Sequence, residues 1–339
     1  MTLPKTYKRA VFTEAGSRLS LEQAPLQAPG KNEVLVKVEA CGVCHSDKLP
    51  QNNVFGGLHP SAPSRLGMRL LAVVVAVGED VVAWKVGDRI GAGWHGGHDG
   101  TCGSCKKGLF QMCDNQAITG ATKDGGYAEY VMVRSEAGVR MPEDVDAAKY
   151  APILCAGVTV FNEMRQMNVG PGETVAIQGL GGPGHLGIQY ANKFGYRVVA
   201  ISRGTDKEGF AWQLGAHEYI DTNKVDAGQA LKELSGAALV VSTSHGPEGI
   251  SKLVNGLGPL GKLLVLPIVG DITFNTVNKG MSVHAWPTGH ATDMEETIKF
   301  TQLQDVDCMI QKFSLEKVNE AFDAMNSGSV RLRAVITME

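Results

Sequence analysis

The chain has 339 residues, with 32 Lys and Arg against 35 Asp and Glu, a net charge of −3. Such a balance provides no basic surface for nucleic acid or for an anionic membrane. No apolar run is long enough to span a bilayer, and the opening MTLPKTYKRA lacks the apolar stretch of a secretory signal, so the expected setting is the cytoplasm. The length suggests two domains, and seven cysteines in that setting point to thiols or metal ligands and away from a disulfide framework.

Residues 1–150 read as a small, irregular β domain. YKRAVFT, EVLVKVEACG, LLAVVVAVG, GDRIGA and YAEYVMVR are short β-rich runs broken by Gly, Pro and Asn. Over 151–286 the runs ETVAIQG, RVVAIS, ALVVSTS and KLLVLPIVG alternate with helical patterns such as HLGIQYANKF and KEGFAWQLGA. That alternation signals βαβ units and a doubly wound parallel sheet. From 287 to 339 come two helices (DMEETIKFTQL and LEKVNEAFDAMNS) and a closing strand, RLRAVITM.

Three stretches carry chemistry. In TVAIQGLGGPGHLGIQYANKFG, a strand runs into Gly179, Gly181, Gly182 and Gly184 and then into a helix. The glycines permit a tight turn and close approach of a pyrophosphate, which meets the unpaired N–H groups of the helix start. The next strand ends at Ser202 and Arg203, with Lys207 nearby. An acid there would bind a ribose 2′-hydroxyl. A small hydroxyl and two cations suit a 2′-phosphate, hence NADP(H). The bland reading is a solvated charged loop. In HDGTCGSCKKGLFQMCDN, Cys102, Cys105 and Cys113 have the spacing of a structural zinc site. Asp99 stands where a fourth cysteine would complete the rhythm; His98 and His95 are substitutes, and a thiol-rich loop without metal is the bland reading.

With GVCHSD, the cysteine lobe, CAGVTVFN, GLGGPGH and VRLRAVI in place, the chain resembles the medium-chain dehydrogenases/reductases of the zinc alcohol dehydrogenase superfamily, near the cinnamyl-type and microbial NADP-dependent branches. The resemblance implies a GroES-like catalytic domain interrupted by a Rossmann domain, with the site in the cleft between them. It implies a catalytic zinc held by cysteines matching Cys44 and Cys155 and by a His of a Gly-His-Glu segment. That segment here is Gly67-Met68-Arg69. A thioether is a poor zinc ligand and Arg cannot bind a cation, so no catalytic zinc is expected; completion by His59 or a carboxylate is the opposing reading. Ser46 matches the family's proton-relay hydroxyl. Asp47 loses the His it would orient, and Arg69 is then either its ion-pair partner or a fixed positive charge. His45 and Arg333 match positions that touch the cofactor.

The catalytic set on this reading is Cys44, Ser46, Asp47, Arg69 and Cys155. The cofactor set is His45, Gly179, Gly181, Gly182, Gly184, Ser202, Arg203, Lys207 and Arg333, and the metal set is Asp99, Cys102, Cys105 and Cys113. Leu49, Phe55, His59, Trp94, Trp286 and His290 are expected to line a partly aromatic cleft. The leading function is an NADPH-dependent reductase working without catalytic zinc on a conjugated C=C, iminium or carbonyl substrate. The alternatives are a zinc-dependent NADP alcohol dehydrogenase and a non-redox cofactor-binding protein. One structural zinc and a homodimer or homotetramer are expected, since the strand matching MSVHAW pairs across a dimer interface in the family.

Overall fold

A computed structural model describes residues 3–54, 66–273, 280–330 and 332–338; Phe55 and His59 lie outside them. The chain forms two compact units. The first comprises Met1–Cys155, Gly289–Leu303 and Asp307–Glu339; the second comprises Ala156–Thr288 and Gln304–Val306. The passage into the second unit thus comes after Cys155, five residues beyond the change of pattern in the sequence, because the turn Ala151–Leu154 is fully buried within the first unit.

The first unit is built on the strand Glu33–Gly42, buried continuously over Val34–Val36 and again over Ala40–Gly42, with Lys37 exposed between them. It pairs antiparallel with Leu70–Val77, Tyr130–Arg134 and Arg333–Thr337. The sheet order is Ile310–Ser314, Arg333–Thr337, Glu33–Gly42, Leu70–Val77, Arg89–Ala92, Val139–Arg140, with Tyr130–Arg134 off this path. Val36, Leu70, Ile90, Tyr127 and Ile336 belong to one core. The run YAEYVMVR is a regular strand only from Tyr130. Before it, Glu129 accepts from Val38 N–H and Tyr127 accepts from Ala10 N–H, so this stretch is shared between two partners.

The second unit is a parallel six-stranded sheet in the order Glu218–Asp221, Arg197–Ser202, Thr174–Gln178, Ala237–Ser242, Leu257–Val265, Ser282–His284. Numbered along the chain this is 3-2-1-4-5-6, the Rossmann order. Its central strands are continuously buried over Val175–Ile177, Val198–Ile201 and Leu239–Ser242, as in a sheet covered on both faces; Ala176, Val199, Val240, Ile250 and Leu263 form its core. The order reverses between Thr174–Gln178 and Ala237–Ser242, and ligands of such sheets bind outside the carboxyl ends of the strands at that point. Among the described residues no helix is long and apolar enough to cross a membrane.

Leu70 has no exposed surface. Leu70→Ala is expected to destabilise the first unit by about 2–5 kcal/mol, seen as an earlier urea transition by circular dichroism. Leu260→Ala, at a residue 73% exposed, is expected to stay within about 0.5 kcal/mol.

Candidate active site and cofactor-binding elements

Cys44 leaves the strand Glu33–Gly42 and starts a tight turn, His45–Asp47. The turn is tied by Asp47, whose Oδ2 accepts from Cys44 N–H at 2.9 Å and from the Tyr127 hydroxyl at 2.8 Å. Asp47 and Tyr127 are both fully buried. Burial pushes the Asp47 carboxyl up against the attraction of Arg69. Tyr127 is thus the partner that Asp47 has in place of a ligand His, and sequence reading missed it because the two lie 80 residues apart.

The segment Leu66–Arg69 is fixed by Gly126 N–H to Gly67 O at 2.9 Å and Tyr127 N–H to Leu66 O at 3.1 Å. Gly67 has φ +104°, and a Cβ there would come within 2.8 Å of the Cys41 sulfur, so only glycine fits. Met68 is fully buried and serves as apolar packing. Arg69 is also fully buried, and its stem runs over Gly42: a Cβ on Gly42 would sit 2.9 Å from Arg69 Cδ and 3.0 Å from Cγ.

None of the three Arg69 nitrogens makes a well-formed hydrogen bond among the described residues; a looser contact toward the Cys44 sulfur remains. No hydrogen bond to Asp47 forms, and Asp47 Oδ1 is likewise unpartnered. The guanidinium therefore acts as a fixed charge. Burial opposes that charge, but Cys155, Cys44 and Asp47 outweigh burial and hold Arg69 well above its ordinary range. The reciprocal effect falls on the sulfurs. A hydrogen bond from Cys155 holds the Cys44 thiol well below the usual thiol range despite burial, with Arg69 and Arg333 adding to it. Cys155, as donor in that bond and by burial, is pushed well up. Cys44 Sγ also lies 3.6 Å from Ser46 Oγ. Cys44 and Ser46 are half-buried, whereas Asp47, Arg69 and Cys155 are buried.

These residues do not fit a catalytic zinc. The two sulfurs are together, but the described residues bring no third ligand to them, and a guanidinium charge lies where a dication would have to be accommodated. His59 falls outside the described residues.

The cysteine lobe does fit a metal. Ligand atoms of Asp99, Cys102, Cys105 and Cys113 all lie within 4.8 Å of one another, as four ligands of a tetrahedral zinc do. Asp99 Oδ1 accepts from Thr101 and Cys102 N–H at 2.7 and 3.2 Å, and Oδ2 from Asn115 Nδ2 at 2.7 Å, so the carboxylate is oriented from behind. Cys102 Sγ accepts from Cys105 N–H, and Cys113 Sγ from Asn115 N–H. His98 and His95 pair with each other at 3.2 Å, and His98 stacks on Phe110. The imidazoles are engaged elsewhere, and Asp99 is the fourth group.

In the second unit, Gly179 has φ +94°, and a Cβ on Gly184 would lie 1.7 Å from Gly179 O. The loop and the helix Gly182–Lys193 are thus in direct contact, while a Cβ on Gly181 would meet nothing. The open face at Gly181 and the positive end of the helix suit a pyrophosphate. Thr243 Oγ1 donates to Gln178 O at 2.8 Å and Ser242 Oγ to Gln178 Oε1 at 2.6 Å, closing the carboxyl ends of the two central strands. Ser202 is half-buried, and Arg203 and Lys207 are exposed. Behind them Asp221, opposite Ser202 in the sheet, accepts from Gly204 N–H at 2.7 Å and Asn223 N–H at 2.9 Å, and the Tyr219 hydroxyl donates to Gly204 O. The turn after Ser202 is held by these two residues, which the local sequence pattern did not single out. In the first unit Arg333 is buried, with Nε and Nη2 unpartnered, which suits an anionic group of a cofactor.

Gly42→Ala is expected to displace the Arg69 stem and to destabilise the first unit by about 1–3 kcal/mol, read from the urea midpoint. An unchanged midpoint would show that the stem moves aside freely.

Two family models match: the alcohol dehydrogenase GroES-like domain over residues 30–143 and the zinc-binding dehydrogenase over 182–303. The chain is 60% identical to the alcohol dehydrogenase patD of Penicillium expansum, covering 99% of each. It is 56% identical to the alcohol dehydrogenase notN of Aspergillus sp. (strain MF297-2), covering all of both. A cinnamyl alcohol dehydrogenase structure from Sorghum bicolor superposes with a TM-score of 0.86 at 28% identity, over 98% of each chain. With GroES-like and Rossmann units, a glycine phosphate loop and these relatives, the chain belongs to the medium-chain dehydrogenases/reductases of the zinc alcohol dehydrogenase superfamily.

Proposed function

We propose that this chain is an NADPH-dependent oxidoreductase that reduces a carbonyl or carbonyl-conjugated C=C bond without a catalytic zinc. The observation that carries the reading is Arg69, a buried cation with three unpartnered nitrogens beside Cys44 and Cys155. A guanidinium cannot shed a proton to become a metal ligand, because it stays charged at any working pH. It opposes a dication in the same place. It also disfavours an iminium substrate, already positive, and favours one on whose oxygen negative charge develops. The names of the similar proteins, alcohol dehydrogenases, agree with an oxygen-bearing substrate.

Bound NADPH supplies the hydride. Gly179 to Gly184 and the start of the helix Gly182–Lys193 hold its pyrophosphate, and Ser202, Arg203 and Lys207 hold the 2′-phosphate. Arg333 and His45 are further phosphate contacts. Asp99, Cys102, Cys105 and Cys113 hold one structural zinc, a closed site with no position for substrate. The edge strand Ser282–His284 is a pairing surface for a second copy in a homodimer.

Metal analysis of protein purified without chelators is expected to give at most one zinc per chain, lost in Cys105→Ser. Two zincs per chain would return the assignment to a zinc-dependent alcohol dehydrogenase. NADPH oxidation is expected with enals or aldehydes and not with imines; no oxidation with any of them would leave a non-redox cofactor-binding protein. Arg203→Ala is expected to weaken NADPH by about 1.5–3 kcal/mol, a charge-assisted hydrogen bond, and to leave NADH nearly unchanged. Equal losses for both would mean that Arg203 only supports its loop.

A further inference from the structure

Dinucleotide-binding sheets that read a ribose hydroxyl carry an acid at the end of the second strand. This chain has Ser202 there, and the acid Asp221 is its register partner on the neighbouring strand Glu218–Asp221. Asp221 is buried and turns its carboxylate to the backbone: Oδ1 accepts from Gly204 N–H at 2.7 Å and from Asn223 N–H at 2.9 Å. Tyr219 stands two residues earlier, on the same face of that strand, and its hydroxyl donates to Gly204 O at 2.6 Å. Ser202 O accepts from Thr222 N–H at 2.9 Å and from the Thr222 hydroxyl at 3.3 Å.

The three peptide units from Ser202 to Thr205 therefore each have one group fixed: Ser202 O, Gly204 N–H and Gly204 O. Arg203 lies between the first two, so its backbone is held on both sides while its side chain is exposed. Gly204 has φ +73°, a left-handed turn that glycine adopts without strain. Building on the NADPH reading above, we infer that Asp221 and Tyr219 are positioning residues for cofactor choice: by gripping the Gly204 peptide from both sides they hold Ser202 and Arg203 in the shape that receives a 2′-phosphate. Binding is weakened by whatever freedom a loop must give up, and a loop ordered beforehand gives up less. NADH has no phosphate to place against this turn, so the gain falls on NADPH alone. Asp221 lies behind the turn with both oxygens engaged, Oδ2 by Lys224 at 3.8 Å, so its part is played through the backbone.

The test is calorimetric titration of the full chain with NADPH and with NADH, each variant first checked for an unfolding transition like that of the wild type. Asp221→Ala strands two N–H groups and is expected to weaken NADPH at least about tenfold, with NADH within about threefold. Asp221→Asn keeps an acceptor for Gly204 N–H and is expected to restore most of the preference. Tyr219→Phe is expected to weaken NADPH about threefold or more, one hydrogen bond, again with little effect on NADH; it decides alone if Asp221→Ala does not fold. If Asp221 acts through Arg203, then Arg203→Ala costs less NADPH affinity in Asp221→Ala than in the wild type. Three results overturn the assignment: an NADPH-to-NADH ratio within about twofold of wild type in both Asp221→Ala and Tyr219→Phe, equal losses for the two cofactors, or tighter NADPH binding in Asp221→Asn, which would make Asp221 a charge that repels the phosphate. Any of these in a chain whose wild type prefers NADPH leaves the NADPH reading standing. A wild type that binds NADH as tightly as NADPH removes both.

Discussion

The first unit depends on one interaction, the burial of a guanidinium against two cysteines and a carboxylate. Removing a cation from water costs several kcal/mol unless opposite charge accompanies it. Arg69 gains that charge from the Cys155 and Cys44 sulfurs and from Asp47. Each partner is fixed independently: Cys44 by the turn His45–Asp47, Asp47 by Tyr127 and the Cys44 N–H, and Arg69 by the bonds that pin Leu66 and Gly67 to Gly126 and Tyr127. The charges therefore stay together without direct hydrogen bonds between Arg69 and Asp47.

The second unit meets a different constraint. Its parallel strands place Gln178, Ser202 and Ser242 at one end of the sheet, the end at which such sheets bind their ligands. Gly179 and Gly184 are required because loop and helix touch, and the turn beyond Ser202 is shaped by Asp221, an acid one strand further along the sheet. The oxygens of that acid are engaged: two backbone N–H groups donate to Oδ1, and Lys224 lies 3.8 Å from Oδ2.

Much of this was legible in the sequence. The glycine loop, the strands on either side of it and the cysteine lobe are local patterns, and local geometry makes them so. That Met68 and Arg69 stand where the resemblance implies a His and a Glu is an expectation from the spacing of the flanking glycines. The role taken by Arg69 could not be read in that way. Choosing between an ion pair with Asp47 and a fixed charge required the positions of Tyr127 and Cys155, far along the chain. Asp221 was hidden for the same reason, since it joins the Ser202 turn only through strand pairing. Asp99 was legible as the fourth group of the lobe, but its preference over His95 and His98 follows from the histidine pair and the Phe110 stack.

Gly42 carries the imprint of Arg69, which immediately precedes the neighbouring strand Leu70–Val77. Because the arginine stem occupies the place of a Cβ at 42, the two positions are not independent. The steric cost of a side chain at 42 exists only while the long side chain at 69 is present, and a short residue at 69 would open a void over the glycine that a methyl group at 42 would partly refill. Substitutions at the two sites are therefore non-additive. The order in which they are made decides whether the chain passes through an overpacked state or a hollow one.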